Sequence, residues 1–188
     1  RKGAEGMKDT KDTKDSTFEV VLAGSGGQGL ISSGIMLGEA AILEDKNVMQ
    51  TASYGIAQRG GLAMAEVIIS NDEILFQHVE NPDIVLALTD ESVKLYEALA
   101  EKGVPIFYDT MMAEERTGEN FYGFPFTGMA EELGHSGMAN VIALGAMAAK
   151  SGMIKPESLE EVLRERFSGN TLEMNLKALQ KGVALVSG

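Results

Sequence analysis

The chain has 188 residues, 44% of them hydrophobic, with 28 acidic and 16 basic residues and a formal net charge of −12. That length suits one globular domain with a proper core, and the acidic balance excludes broad binding to nucleic-acid phosphates or to an anionic membrane surface. There is no cysteine, which removes disulfides, thiolate metal sites and iron–sulfur ligation by this chain; no apolar run approaches the roughly 20 residues of a bilayer span and no signal-peptide pattern opens the chain, so a cytoplasmic location is expected.

Residues 1–17, with the repeat "KDTKDTKDS", carry almost no apolar surface and are expected to form a disordered leader ahead of a single domain over 18–188. Met7 is a candidate natural start, with residues 1–6 as a remnant ahead of it. "FEVVLAG" (Phe18–Gly24) reads as a buried strand, and "LISSGIMLGEAAILE" (Leu30–Glu44) as a helix with apolar residues at helical spacing. Gly34 and Gly38 share one face of that helix, a spacing that lets a neighbouring backbone approach. "NVMQTASYG" (Asn47–Gly55) reads as a second strand. "AMAEVIIS" and "EILF" flank Ser70–Asp72 and read as a hairpin.

"PDIVLALTD" (Pro82–Asp90) reads as a buried strand, "ESVKLYEALAEKG" as a helix ending at Gly103, and "VPIFYDT" as a further strand. Asp90 sits where a helix N-cap is wanted. Met129–Gly152 reads as one long apolar helix, "PESLEEVLRERFS" as a helix with Pro156 in its first turn, and "TLEMNLKALQKGVALV" as the last helix. Alternating strands and helices predict an α/β fold: a Rossmann-like, mostly parallel sheet with a β-hairpin insertion and a helical C-terminal third.

Two stretches stand out. "GSGGQG" (Gly24, Ser25, Gly26, Gly27, Gln28, Gly29) follows a strand and opens a helix. Glycines let backbone N–H groups approach an anion, and the helix N-terminus adds partial positive charge. A nicotinamide site would also need an acidic residue at the end of the second strand, and "NVMQTAS" supplies none; a P-loop would need Gly-Lys-Ser/Thr. A structural turn and an anion site shared with another chain both remain open readings. The second stretch, "SYGIAQRGG" (Ser53–Gly61), carries Tyr54, Gln58, Arg59, Gly60 and Gly61. Loops that follow the first two strands of an open parallel sheet lie at one carboxyl edge, so the two stretches are expected to be neighbours. Arg59 between small residues suits a carboxylate or phosphate, or else a surface salt bridge.

"GSGGQG" after a strand, followed by "SYGIAQRGG", resembles the gamma subunit of the 2-oxoacid:ferredoxin oxidoreductases, and "MANVIALGAMAAKSGMI" and "NLKALQKG" resemble that family's C-terminal helices. The resemblance implies oxidative decarboxylation of a 2-oxoacid to an acyl-coenzyme A with reduction of ferredoxin, in a complex using thiamine diphosphate, Mg2+, iron–sulfur clusters and coenzyme A. It implies alpha and beta partners and a ferredoxin-like delta subunit, with no activity expected from this chain alone. No Gly-Asp-Gly…Asn-Asn pattern for thiamine diphosphate is present, so that chemistry is expected on the partners. Ala57 stands where pyruvate and 2-oxoglutarate members often carry glutamate, and "GIAQRGG" is closer to the indolepyruvate form. The substrate is therefore open, with 2-oxoglutarate placed ahead of pyruvate and an aromatic 2-oxoacid also allowed. The implied role is a domain near the coenzyme A side or active-site entrance, its glycine turn and Arg59 holding a phosphate. Self-association is expected for the isolated subunit.

Two readings of other classes are kept: a free-standing nucleotide-binding oxidoreductase, and an interaction module whose glycine turn holds nothing. No residue is assigned a catalytic or metal-binding role. His78 lacks companions for a metal site, and His135 is read as a hydrogen-bonded polar residue. Ser25 and Ser32 lack a nucleophile motif. Asn140, inside an apolar helical run, is read as a buried amide in structural use. The 11 methionines are read as core filling or as an adaptable subunit interface.

Overall fold

The structure is a computed structural model that describes residues 16–54 and 61–187. Six strands, β1 (Thr17–Ser25), β2 (Asn47–Tyr54), β3 (Leu62–Ser70), β4 (Ile84–Ala87), β5 (Ile106–Asp109) and β6 (Phe121–Phe124), form one sheet in the order β2-β3-β1-β4-β5-β6. β1, β4, β5 and β6 run parallel, whereas β3 is antiparallel to both β1 and β2. The helices are α1 (Leu30–Leu43), α2 (Asp90–Tyr96), α3 (Phe126–Leu133), α4 (Ala139–Ser151), α5 (Pro156–Arg166) and α6 (Gly169–Val186).

β1, β4 and β5 are covered on both faces, which is why they read as continuous apolar runs rather than alternating ones. Val20 and Leu22 point to the larger core shared with α1 and α4–α6, while Val21 and Ala23 point to a smaller one that includes Val93 of α2. β3 alternates at its start: Ala63, Ala65 and Val67 are buried, while Leu62, Met64 and Glu66 are half-exposed. Gly34 and Gly38 bring α1 down onto β2 and β3, where added methyls would stand 3.2 Å from Ala65 Cβ and 3.2 Å from Val48 Cγ1. The neighbour they admit is thus a layer of side chains. Helix backbones meet instead at α4 and α6, where a Cβ on Gly145 would strike Leu179 O and one on Gly182 would strike Ile142 O.

Several expectations need correction. The hairpin is β2–β3, not a turn at Ser70–Asp72, and residues 73–76 form no strand; Leu75 and Phe76 are exposed. The run Met129–Gly152 is broken at Gly134, whose left-handed backbone (φ 116) ends α3, and α4 begins only after a 3-10 turn over Ser136–Met138. The helix from Asp90 tightens to 3-10 geometry over Glu97–Lys102, and its cap is Thr89, whose hydroxyl accepts from Ser92 N–H in a reciprocal box. β6 was not anticipated, because "FYGF" is short, carries a glycine and follows the polar stretch Thr117–Asn120. β1 begins at Thr17, inside the expected leader, and residues 1–15 lie outside the described residues.

Candidate functional site at the carboxyl edge of the sheet

β1 and β2 are parallel and separated by β3. Ala63 of β3 is opposite Gly24 on one side and Tyr54 on the other. The glycine turn and the start of the second stretch therefore leave the same edge, about 10 Å apart across two strand spacings. Tyr54 is placed by its backbone in β2, and Gly61 by its left-handed φ of 73 at the entry to β3. Gln58, Arg59 and Gly60 lie outside the described residues.

The glycine turn reverses the chain with Gly27 (φ 86) and Gly29 (φ 73), conformations that cost L-residues with a side chain. Added methyls at Gly26 and Gly27 would meet nothing within 4 Å. Gly29 is the N-cap of α1, no side chain caps that helix, and its first turn holds no acidic residue. Among the described residues the Gly26 and Gly27 amides have no acceptor. The start of α1 thus presents donors and the positive end of a dipole with nothing among the described residues to neutralise them.

Gln28 is spent differently. Its Oε1 accepts from Ser25 N–H at 2.8 Å and its Nε2 donates to Leu88 O at 3.2 Å. The side chain spans the ends of β1 and β4, the crevice between strands whose helices α1 and α2 lie on opposite faces. That is the switch point where a dinucleotide would lie in a doubly wound sheet. With this crevice filled, and no acidic residue at the end of β2, the free-standing nucleotide-binding reading loses its ground. Ser25 likewise gives its amide to the turn itself.

Gly29 O gathers three donors: Ser33 N–H (2.9 Å), Ser33 Oγ (2.8 Å) and Asn140 Nδ2 (3.2 Å). Asn140 Nδ2 also donates to Ser33 Oγ at 2.9 Å. This contact joins α4 to the start of α1 across 111 residues of sequence. Sequence reasoning named Asn140 as a buried amide but had no means to find its partner.

The other candidates have partners within the chain. Among the described residues no group of three metal-ligating side chains exists; His78 is exposed, with Nδ1 3.6 Å from Glu66 Oε2. His135 Nδ1 accepts from Gly137 N–H. Asp83 accepts from Glu19 N–H. Asp90 pairs with Lys94 and Arg116 at 2.9 Å each, and these hydrogen bonds, Lys94's first, hold its carboxyl well below the usual range. Burial raises the Glu19 carboxyl. An open cavity of about 740 Å³ lies apart from the glycine turn, lined by Glu97, Glu101, Glu115 and Glu119 with Arg116, and its acidic wall does not suit an anion.

The family profile "Pyruvate ferredoxin/flavodoxin oxidoreductase" matches residues 19–185. This chain belongs to that family. The chain is 40% identical over 162 residues to the 2-oxoglutarate synthase subunit KorC of Archaeoglobus fulgidus, covering 86% of this chain and 83% of that one. It superposes with a TM-score of 0.77, at 34% identity, on the keto/oxoacid ferredoxin oxidoreductase gamma subunit of Geobacter sulfurreducens, covering 90% of this chain and 98% of that one. It also matches, at 27% identity and a TM-score of 0.77, a 2-oxoglutarate:ferredoxin oxidoreductase of Magnetococcus marinus with 2-oxoglutarate, coenzyme A and succinyl-CoA bound. There it covers 91% of this chain but 31% of the longer one, so the same unit occurs inside a larger polypeptide. The chain is therefore a gamma subunit of a 2-oxoacid:ferredoxin oxidoreductase, part of a multisubunit enzyme. Among its described residues no helix is long and apolar enough to cross a membrane.

Proposed function

We propose that this gamma subunit serves a 2-oxoglutarate:ferredoxin oxidoreductase, which converts 2-oxoglutarate, coenzyme A and two oxidised ferredoxins to succinyl-coenzyme A, carbon dioxide, two reduced ferredoxins and a proton. The observation that carries the substrate is the 40% identity to a 2-oxoglutarate synthase subunit over most of both chains. Thiamine diphosphate, Mg2+ and the iron–sulfur clusters belong to the alpha, beta and ferredoxin-like delta partners, since this chain has no cysteine to ligate a cluster. Those groups supply carbanion and electron-transfer chemistry, and the complex works in the cytoplasm.

This subunit's own contribution is binding. The uncapped start of α1, with the free amides of Gly26 and Gly27, holds a phosphate of coenzyme A. Arg59, which falls in the sequence between β2 and β3, adds a charge-assisted contact. Gln28 keeps the turn in shape by tying β1 to β4.

The test is to co-purify the complex and measure ferredoxin reduction with 2-oxoglutarate, pyruvate and indolepyruvate, with coenzyme A varied. 2-Oxoglutarate is expected to give the highest kcat/KM, and Arg59→Ala to raise KM for coenzyme A about tenfold while leaving KM for the 2-oxoacid unchanged. A preference for pyruvate or indolepyruvate overturns the substrate. An unchanged KM for coenzyme A overturns the role of Arg59.

A further inference from the structure

Asn140 carries an atom that the fold leaves unused. The residue is 6% exposed, and its Oδ1 has no hydrogen-bond partner among the described residues. Buried acceptors in folded proteins are nearly always paired, so an orphan of this kind calls for an explanation. The orientation of the amide is fixed by its neighbours. Ser33 Oγ donates to Gly29 O, which leaves its lone pairs for Asn140 Nδ2. Turned over, the amide would set its oxygen 3.2 Å from Gly29 O, acceptor against acceptor. The free atom is therefore the oxygen, and it lies beside Gly29, the N-cap of the uncapped α1.

Gly29 completes the arrangement. A Cβ there would stand 2.7 Å from Asn140 Nδ2, so only a glycine lets the amide reach the turn. The oxygen is enclosed, and the turn beside it has open space around it, since methyls added at Gly26 and Gly27 would meet nothing within 4 Å. Amides of the turn attract negative charge; an unpaired carbonyl oxygen repels it. A bare anion at the start of α1 leaves this oxygen unsatisfied. A ligand that places a hydroxyl or amide N–H next to its anionic group satisfies both.

Resting on the anion-site reading above, we infer that Asn140 Oδ1 accepts a hydrogen bond from the molecule bound at the start of α1, so that the site selects an anion carrying an adjacent donor over an anion alone. Asn140 Nδ2 holds the turn, and Oδ1 reads the ligand.

The test uses the full chain labelled with 15N and 13C and two probes at pH 8: methyl phosphate, a dianion without a donor, and 4′-phosphopantetheine, which carries a hydroxyl and amide N–H groups. Both are expected to move the Gly26 and Gly27 amide signals. Only 4′-phosphopantetheine is expected to move the Asn140 side-chain carbonyl signal downfield, and to bind about tenfold more tightly. In Asn140→Leu that preference falls to near unity; in Ser33→Ala, which keeps Oδ1, it persists. The wild-type carbonyl signal decides the question even if the leucine variant does not fold. If the glycine amides respond to both probes while the Asn140 carbonyl signal stays put, the inference is overturned and the anion site stands. A carbonyl signal already hydrogen-bonded before ligand is added, by an enclosed water, and unmoved afterwards, overturns it too. Glycine amides that respond to neither probe remove the anion site, and the inference with it.

Discussion

Three helices start at the carboxyl edge of this sheet, and two of them, α3 and α1, have first turns finished in opposite ways. α3 begins after β6 and is closed by the chain itself. The buried carboxylate of Asp109, at the end of β5, accepts from Thr127 N–H at 3.0 Å and from the Thr127 hydroxyl, and takes Met111 N–H at 3.0 Å as well. α1 begins after β1 with glycine as its cap, no side-chain acceptor and no acidic residue. A helix start that the fold needs only for architecture is neutralised from within, as at α3. One left open beside an unsatisfied buried oxygen is where a second molecule can complete the set.

The closed end should be the more costly to damage. Asp109→Ala leaves the start of α3 and Met111 N–H without their acceptor and is expected to cost about 3 kcal/mol, lowering Tm by roughly 6–12 °C in calorimetry. An unchanged Tm would mean that the carboxylate is not what closes α3. At α2, which is closed locally by the Thr89–Ser92 box, Thr89→Ala should cost about 1 kcal/mol, read as a shift in the urea midpoint without a change in slope.

The open end should behave in reverse. Gly26→Asp puts a carboxylate at the uncapped start of α1, in space that is free. It is expected to stabilise the isolated subunit by about 0.3–1 kcal/mol, through the helix dipole, while raising KM for coenzyme A about tenfold in the complex. A stabilised variant with unaltered KM would separate the open helix end from ligand binding. The smallest effect concerns acid. Asp90 is held ionised in the folded chain by Lys94 and Arg116. Its contribution is complete above the ordinary carboxylate pKa of about 3.9 and is lost as pH falls through the lower folded value. Asp90→Asn should therefore flatten the decline of Tm below about pH 4, compared with the parent chain, and leave that above pH 5 parallel to it. An equally steep acid limb would assign that decline to other carboxylates.

Much of the fold was legible because its signals are local. Buried runs such as "VVLAG" and "DIVLAL" announced strands covered on both faces, and Pro156 marked the start of α5. The failures were also local. "EILF" has the composition of a strand, but the sheet position beside β3 was already taken by β1 and β2. "LGHSG" looked continuous with the helix after it, and Gly134 could be recognised as a stop only from its left-handed backbone. Within the site, the glycine turn was visible in sequence, and the shared edge at which β1 and β2 end followed from strand direction. The use of Gln28 as a tie between β1 and β4 was not visible, because its partners sit 3 and 60 residues away.

The sequence by itself determined the family, the alternation of strands and helices, and the absence of cluster-ligating thiols, since each depends on residue identity and spacing along the chain. Only the tertiary structure decided that β3 inserts between β1 and β2, that Gln28 fills the switch-point crevice, and that Asn140 leaves one oxygen over beside α1. These are questions of which groups find partners once the chain is packed, and hydrogen-bond pairing across a hundred residues has no local signature.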